Sequence, residues 1–576
     1  MRRIVNPQQT RLFDPFDAVL TEKTRQRLLN GFSGVFRHVI LELLPVDAIA
    51  GHFELGMGRP TKELYSMAGL ILIMEFMDWT KQEALDAYSF RMDVHYALNL
   101  EPVTHDLSMR TLERYIGLFT QNDLAGKVMH DVTVKLVGLL GLKIDQQRLD
   151  STHVFSDMAN FGRTRLMGVA IKRFLTQVKR GRPADYDALA ALLRQRYAPS
   201  VHHLFGDTEK DSASRRLLRQ QVAEDMHQLL RHFADRPEHA GRDSYKALER
   251  IFYEQCDVHE QKVEVKDKIG GRVTQNPSDS EATYDGHKGP GYQAQIAETC
   301  HPENAVQLIT SVLPQTAAES DGFAVPDVLD DLKASALLPE QMLSDMHYNG
   351  DRNVQLAEQY DVELVGPVPS GSSDKKDPDR LNVDDFNIDE KSETVVCCPA
   401  GQTPVSSVAD PATGKTRTVM PDSACGRCDF FDQCPVRQRR DGYRLEHTAK
   451  QRRTAGRCRE EATDVFRRRY RVRSGIEGTN SGLKRRTGMG RLRVRGRPRV
   501  FHAIYLKVTG WNILRASVCA AMRKMVYERA LKGLLSVRLL GWAMPWPLLA
   551  AQRALYRCPP ASVRHSISHR RLSTPA

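Results

Sequence analysis

Apolar residues recur at three- and four-residue intervals through the first quarter of the chain. Leu64, Met67, Leu70, Ile71 and Met74 mark one buried face of a helix, and Thr61 stands where an N-cap belongs. TKQEALDAYSF predicts a second helix from Thr80, and Ser108 opens a third through Leu112 and Tyr115. The period then shortens. Residues 142–149 read as a strand ending in Asp150-Ser151-Thr152-His153. Residues 160–255 return to helical spacing with many charges (RRLLRQQVAEDMHQLLRHF), as in a helical insertion. Three strand-like pieces follow in 262–314, namely KVEVKDKI, GYQAQIAET and AVQLITSVLP. A helix is predicted over 321–334, then a short strand from Gln341 that ends in Asp345. Asn349-Gly350-Asp351 turns into another helix, and 362–368 is a further strand. Residues 369–380 are polar and loop-like, 503–522 helical, and the end from about Cys558 is Pro/Ser/Arg-rich and disordered in composition.

This order predicts an α/β protein of several parts. Residues 1–140 are expected to form a helical N-terminal DNA-binding domain, and 141–395 the first part of a mixed-sheet core with its helical insertion at about 160–255. A Cys-rich insertion takes 396–440. The second part of the core occupies 441–530, and a partly disordered tail 531–576.

Charge changes the picture. The chain carries a formal +12, but 435–500 alone holds 22 Lys/Arg against six Asp/Glu. The excess is therefore local, as in a surface that binds a polyanion. Phe466, Tyr470, Ile476, Leu483, Met489, Leu492 and Val494 interrupt the basic run and give it something to bury, which argues against plain disorder. The arginines at the N-terminus precede no long apolar stretch, so no signal peptide is predicted. Residues 539–551 are too short for a span of about 20 apolar residues and contain Pro545 and Pro547. With ten cysteines and no secretory signal, thiols or metal ligands in a reducing cytosol are expected.

Within the basic segment, Tyr470, Arg473, Glu477 and Lys484 are separated by 3, 4 and 7 positions. On one continuous helix they project at about 0°, 300°, 340° and 320° and would share a face. One acid, two bases and a phenol suit a site that holds a divalent cation and a phosphate together. Ser474-x-x-Glu477 also matches a capping box, and Gly475 and Gly478 weaken a helix here. Two further carboxylates, Asp150 and Asp345, fall at predicted strand ends. Three oxygen-donor acids from separate elements are what a pair of Mg²⁺ or Mn²⁺ ions requires.

The order strand–Asp, strands, helix, strand–Asp, strand, insertion, helix–Glu is that of an RNase H-like fold. Here the chain resembles the bacterial insertion-sequence transposases of the DDE type. The resemblance rests on Leu149-Asp150-Ser-Thr, on Asp345-Met-His-Tyr348, and on Tyr-x2-Arg-x3-Glu-x6-Lys at Tyr470, Arg473, Glu477 and Lys484. It also covers the GRP at 58–60 with its following helices, and extends over roughly residues 30–520. It implies that Asp150, Asp345 and Glu477 are catalytic and bind two Mg²⁺ (or Mn²⁺) ions. Tyr470, Arg473 and Lys484, with Arg485 and Arg486, would contact DNA. The implied activity is metal-dependent cleavage at transposon ends and strand transfer into target DNA, with recognition of terminal inverted repeats. The implied partners are double-stranded DNA and a second copy in a synaptic homodimer, with no membrane, in a bacterial cytoplasm at the nucleoid. A non-catalytic DNA-binding protein and an RNase H-like nuclease without strand transfer are the alternatives.

Cys425-x2-Cys428-x5-Cys434 has the spacing of a zinc knuckle. Cys398 or its neighbour Cys397 would supply a fourth sulfur for a structural Zn²⁺. Reduced, unmetallated thiols are the other reading.

Overall fold

The computed structural model describes residues 2–7, 14–206, 212–369, 380–440 and 442–541, with side chains to residue 531. Most of the predicted 369–380 loop and of the C-terminal tail lies outside these residues, as does most of the apolar stretch at 539–551. The N-terminal helices include α1 (Leu64–Phe76), α2 (Lys81–Phe90), α3 (Met109–Gln121) and α4 (Leu124–Leu140). Thr80 and Glu83 close a reciprocal capping box on α2, and Ser108 Oγ accepts from Thr111 N on α3. On α1 the expected cap is displaced. Glu63 accepts from Tyr65 N and Ser66 N, while Thr61 Oγ1 instead accepts from Arg3 N. α1 is also buried around nearly its whole circumference, not on one face, because other helices surround it.

β1 (Gln146–Val154) follows, then an inserted helical unit of α5 (Arg163–Gly181), α6 (Ser212–Phe233) and α7 (Asp243–Gln255). That unit has its own apolar centre around Phe174, Met226, Phe233 and Phe252. The predicted strand at KVEVKDKI joins this unit and not the main sheet. Lys262–Val265 pairs only with Cys256–His259, as a hairpin beside α6.

The main sheet adds β2 (Gly289–Thr299), β3 (Ile309–Thr316), β4 (Gln341–Ser344) and β5 (Glu363–Val365), with α8 (Val325–Ala334) between β3 and β4. Its order is β3-β2-β1-β4-β5, and a short strand Thr283–Asp285 pairs with the start of β2. β2 is antiparallel to both β3 and β1, whereas β4 and β5 run parallel to β1. After the sheet comes a second small one of β6 (Ser406–Asp410), β7 (Lys415–Met420), β8 (Arg437–Arg439) and β9 (Gly442–Thr448), in the order β6-β7-β9-β8.

The last described part contains α9 (Ala449–Glu461), α10 (Asp464–Tyr470), α11 (Gly475–Thr487) and α12 (Arg497–Ser517). α12 ends at Ser517, and a separate helix starts at Ala520, so the predicted 503–522 helix is two. α12 joins the N-terminal helices to the sheet. Asn512 donates to Thr133 Oγ1 and Ile309 O and accepts from Ile309 N, and Lys507 Nζ donates to Glu75 O. One apolar core therefore runs from Phe16 through α1 and α4 to Leu149, Ala297 and Met342 in the sheet. Among the described residues no helix is long and apolar enough to cross a membrane.

Candidate active site

The site starts from strand register. β1 and β4 pair in parallel up to Leu149↔Ser344, so the next residue on each strand is an aspartate, Asp150 and Asp345. Asp150 is not at a strand end, as the sequence suggested. β1 continues to Val154 because β2 pairs with it as far as Val154↔Tyr292. What ends at Asp150 is the partnership with β4, and the gap left by the diverging neighbour opens beside the two acids.

The third carboxylate arrives from α11. Arg473 Nη2 lies 3.0 Å from Asp150 Oδ1, and Arg473 Nη1 lies 3.0 Å from Glu477 Oε1. Asn480 Nδ2, one turn beyond Glu477, donates to Asp150 Oδ2 at 3.1 Å. Asp150 and Arg473 are largely buried (15% side-chain exposure each), while Glu477 is 67% exposed. The capping-box alternative does not form. Ser474 Oγ donates to Arg471 O, its side chain caps nothing, and Glu477 pairs with Arg473 instead. As an acid in the first turn of α11, Glu477 also lies at the positive end of the helix dipole.

The single-helix projection needs correction. Tyr470 closes α10, a 3₁₀ turn over Arg471–Ser474 intervenes, and α11 begins at Gly475. Gly475 is explained by close approach, since a Cβ there would fall 2.0 Å from Arg148 Nη1. Arg148 pairs at 2.6 Å with Glu298, opposite it on β2, and the Glu298 side chain is fully buried. Arg148 Nη1 donates to Val472 O and Thr479 Oγ1 donates to Glu298 Oε1, so this buried pair pins both ends of the turn that carries Arg473 and Glu477. The far side of α11 is fixed by Phe155 N donating to Gly490 O and Leu492 N donating to Phe155 O.

A further acid, which the sequence reading missed, faces the same place. Asp321 accepts from Ser151 Oγ at 3.1 Å and from Gln295 Nε2 at 3.0 Å, and Lys288 Nζ donates to Ser151 Oγ at 3.2 Å. The buried Tyr348 hydroxyl donates to Gln295 Oε1. Burial, then Asp345 and Asp321, raise the Asp150 pKa above its ordinary value against the opposing pull of Arg473. Tyr348 is pushed well up, first by burial and then by Asp321, Asp150 and Asp345. Tyr470 is raised by burial, with Asp345 and Asp150 adding to it and Arg473 opposing. Lys484 is lowered by burial and by Lys288, with Asp150 opposing. Asp150, Asp345, Arg473, Tyr470 and Lys484 thus share one electrostatic neighbourhood. Arg485 and Arg486 do not join it; they border a shallow groove with Trp511 and Arg515. Asn480 was within reach of sequence reasoning, since it follows Glu477 by three and precedes Lys484 by four. Lys288 was marked in the sequence by the turn-rich His287-Lys288-Gly289 loop, which reads as a DNA contact or an exposed turn; Asp321 and Gln295 had no local signal.

The donors of Asp150, Asp345 and Glu477 are carboxylate oxygens, the chemistry of a hard divalent cation. They fit such an ion by type, although Arg473 lies between two of them. Among the described residues, the one group of potential ligands whose ligand atoms all lie within 4.8 Å of one another is Asp185, Glu238 and His239 in the helical insertion. There the His239–Asp185 contact of 2.7 Å is accompanied by Arg236 and Arg182, so the charge is already balanced.

A family model described as a transposase DDE domain matches residues 397–516. The match includes the second small sheet, α11 and Glu477, but neither Asp150 nor Asp345. No curated protein matches the chain. Among solved structures it is similar to a piggyBac transposase synaptic complex with hairpin DNA, at 10% identity over 70% of this chain and 77% of that one, with a TM-score of 0.22. At that score the two chains do not superpose as wholes.

Four of the cysteines come together elsewhere. Cys398, Cys425, Cys428 and Cys434 line one cavity of about 20 Å³ beside the second small sheet, and Cys397 does not.

Proposed function

We propose that this protein is a DDE-type transposase, which binds transposon ends and breaks and rejoins phosphodiester bonds at Asp150, Asp345 and Glu477. One observation carries the reading: β1–β4 register sets Asp150 beside Asp345, and Arg473 bridges Asp150 to Glu477. The order β3-β2-β1-β4-β5, antiparallel and then parallel, supports an RNase H-like core. The family match around Glu477 supports the same class.

Asp150, Asp345 and Glu477 would hold Mg²⁺ or Mn²⁺, which supplies activation of a water or 3′-hydroxyl and stabilisation of the leaving oxygen. The chain's own groups do the rest. Asn480 fixes the Asp150 carboxylate in orientation. Lys484 and Lys288 flank the acids and are placed to hold phosphate oxygens. Arg473, a planar fork, can exchange a carboxylate for a phosphate without losing hydrogen bonds. Tyr470, partly buried beside the acids, offers a ring and a hydroxyl to the strand end. Terminal inverted repeats as substrate, strand transfer into a target, a homodimer that holds two ends, and a place at the bacterial nucleoid complete the reading.

The test uses the full chain, Mg²⁺ and duplex DNA bearing the inverted repeats that flank the gene. Wild type is expected to nick the ends and join pre-cut ends to target. Glu477→Gln should lower nicking by at least roughly a hundredfold while DNA affinity stays within a factor of about two. Nicking by Glu477→Gln at the wild-type rate overturns the catalytic assignment, and nicking without joining indicates a nuclease.

A further inference from the structure

We infer that Cys398, Cys425, Cys428 and Cys434 form a four-thiolate zinc site whose role is to hold the small-sheet insertion together. The inference does not depend on the transposase reading, since the cysteines lie in turns beside a separate small sheet with its own core.

The structure resolves the choice that the sequence left open. Cys397 ends the strand Thr394–Cys397, in register with Asn387 across a bulge. Cys398 begins a tight turn instead, with its N–H donating to Gln402 O and Gly401 N donating to Cys398 O. That turn delivers Cys398 to the cavity. The other arm is a second tight turn: Cys428 N donates to Cys425 O, Phe431 N to Cys428 O and Cys434 N to Phe431 O. Two loops, each closed by backbone hydrogen bonds to a cysteine carbonyl, bring their cysteines to the same cavity.

The cavity itself narrows the ligand. At about 20 Å³ it has room for an ion but not for an organic molecule. Its other walls include Met420, Phe431 and Val436, and no charged side chain lines it. All four cysteines are free thiols. A soft, all-sulfur donor set selects Zn²⁺ over Mg²⁺ or Ca²⁺. Tetrahedral Zn–S bonds of about 2.3 Å place the sulfurs about 3.8 Å apart. No three of these sulfurs lie within 4.8 Å of one another. Loading therefore draws the two loops together as the four thiols give up their protons to solvent.

The insertion also needs such a staple. Its apolar centre amounts to Phe386, Val395, Met420, Val436 and Leu445, with Cys398, Cys425 and Cys434 packed against them. β8 is exposed along its whole length. A unit with so few buried side chains is at the size where metals or disulfides replace a core.

The test is metal analysis of the purified full-length chain. One zinc per chain is expected in wild type and in Cys397→Ser, and less than a tenth of that in Cys398→Ser and Cys425→Ser. Cobalt exchanged into wild type should give the thiolate charge-transfer and ligand-field bands of a tetrahedral four-sulfur site, a readout that needs no variant to fold. Limited proteolysis of wild type after zinc removal should quicken at least tenfold within residues 380–448 and leave the rest unchanged. Zinc-free folded wild type, iron in place of zinc, or equal metal loss in Cys397→Ser overturns the site. Proteolysis unchanged by zinc removal overturns its structural role.

Discussion

Arg473 and Asp150 are 323 positions apart in the chain, yet Nη2 of one lies 3.0 Å from Oδ1 of the other. The same guanidinium holds Glu477 with its second nitrogen. Arg473 thus supplies positive charge that two acids of the site share.

Replacing Arg473 separates its two duties. Arg473→Ala should lower the slope of log affinity against log salt by about one, because one phosphate contact is gone. It should also raise the Asp150 pKa further, since Arg473 is the group that pulls it down. Arg473→Lys should restore part of the salt slope but little activity, for a single ammonium cannot span both carboxylates. Filter binding across a salt series checks the first, and nicking rates the second. A slope unchanged in Arg473→Ala would sink the phosphate role.

Asp150 is predicted to cost stability in exchange for its proposed role at the site. Its native pKa lies above the ordinary 3.8, mainly through burial and then through Asp345. Between those two values the folded chain holds more protons than the unfolded one. Stability contributed at this position is therefore lost as pH rises through that window, and above it the full cost of a buried anion remains. Asp150→Asn should melt higher than wild type at pH 7 in metal-free buffer and be inactive, with the difference shrinking as pH falls below the window. Mg²⁺ should raise the wild-type midpoint and leave that of Asp150→Asn nearly unchanged. Thermal melts across pH test this, and a less stable Asp150→Asn at pH 7 contradicts it.

The Arg148–Glu298 pair is predicted to govern the turn that bears Glu477. Glu298→Ala leaves a buried guanidinium uncompensated and should cost about 3–5 kcal/mol. Removing both partners should cost less than the sum of the single changes. Gly475→Ala pushes a methyl into Arg148, which Glu298 and Val472 hold in place, and should cost about 1–3 kcal/mol. Denaturant midpoints measure these values. Because Gly475→Ala shifts Arg473 and Glu477 together, its nicking rate should fall more than its DNA affinity.

Local features were legible in the chain. Thr80 with Glu83, and Ser108 with Thr111, form caps because a cap needs only residues three positions apart. The spacing of Tyr470, Arg473, Glu477 and Lys484 singled out residues that the fold does gather, even though the backbone reaches that arrangement through two helices and a 3₁₀ turn. What the chain could not disclose is whatever depends on sheet register or on a distant partner. Asp150 lies mid-strand because β2 outruns β4 as its neighbour. Glu477 forsakes the capping box because Arg473 offers an ion pair on the same helical side. Gln295 reaches the site through the β1–β2 alignment, Asp321 joins it from a turn beyond β3, and Cys398 is preferred to Cys397 by a single tight turn. Short-range hydrogen bonds and apolar spacing are written in neighbouring residues. The meeting of acids from separate elements depends on the packed sheet, where a one-residue shift of β1 would turn Asp150 to the opposite face.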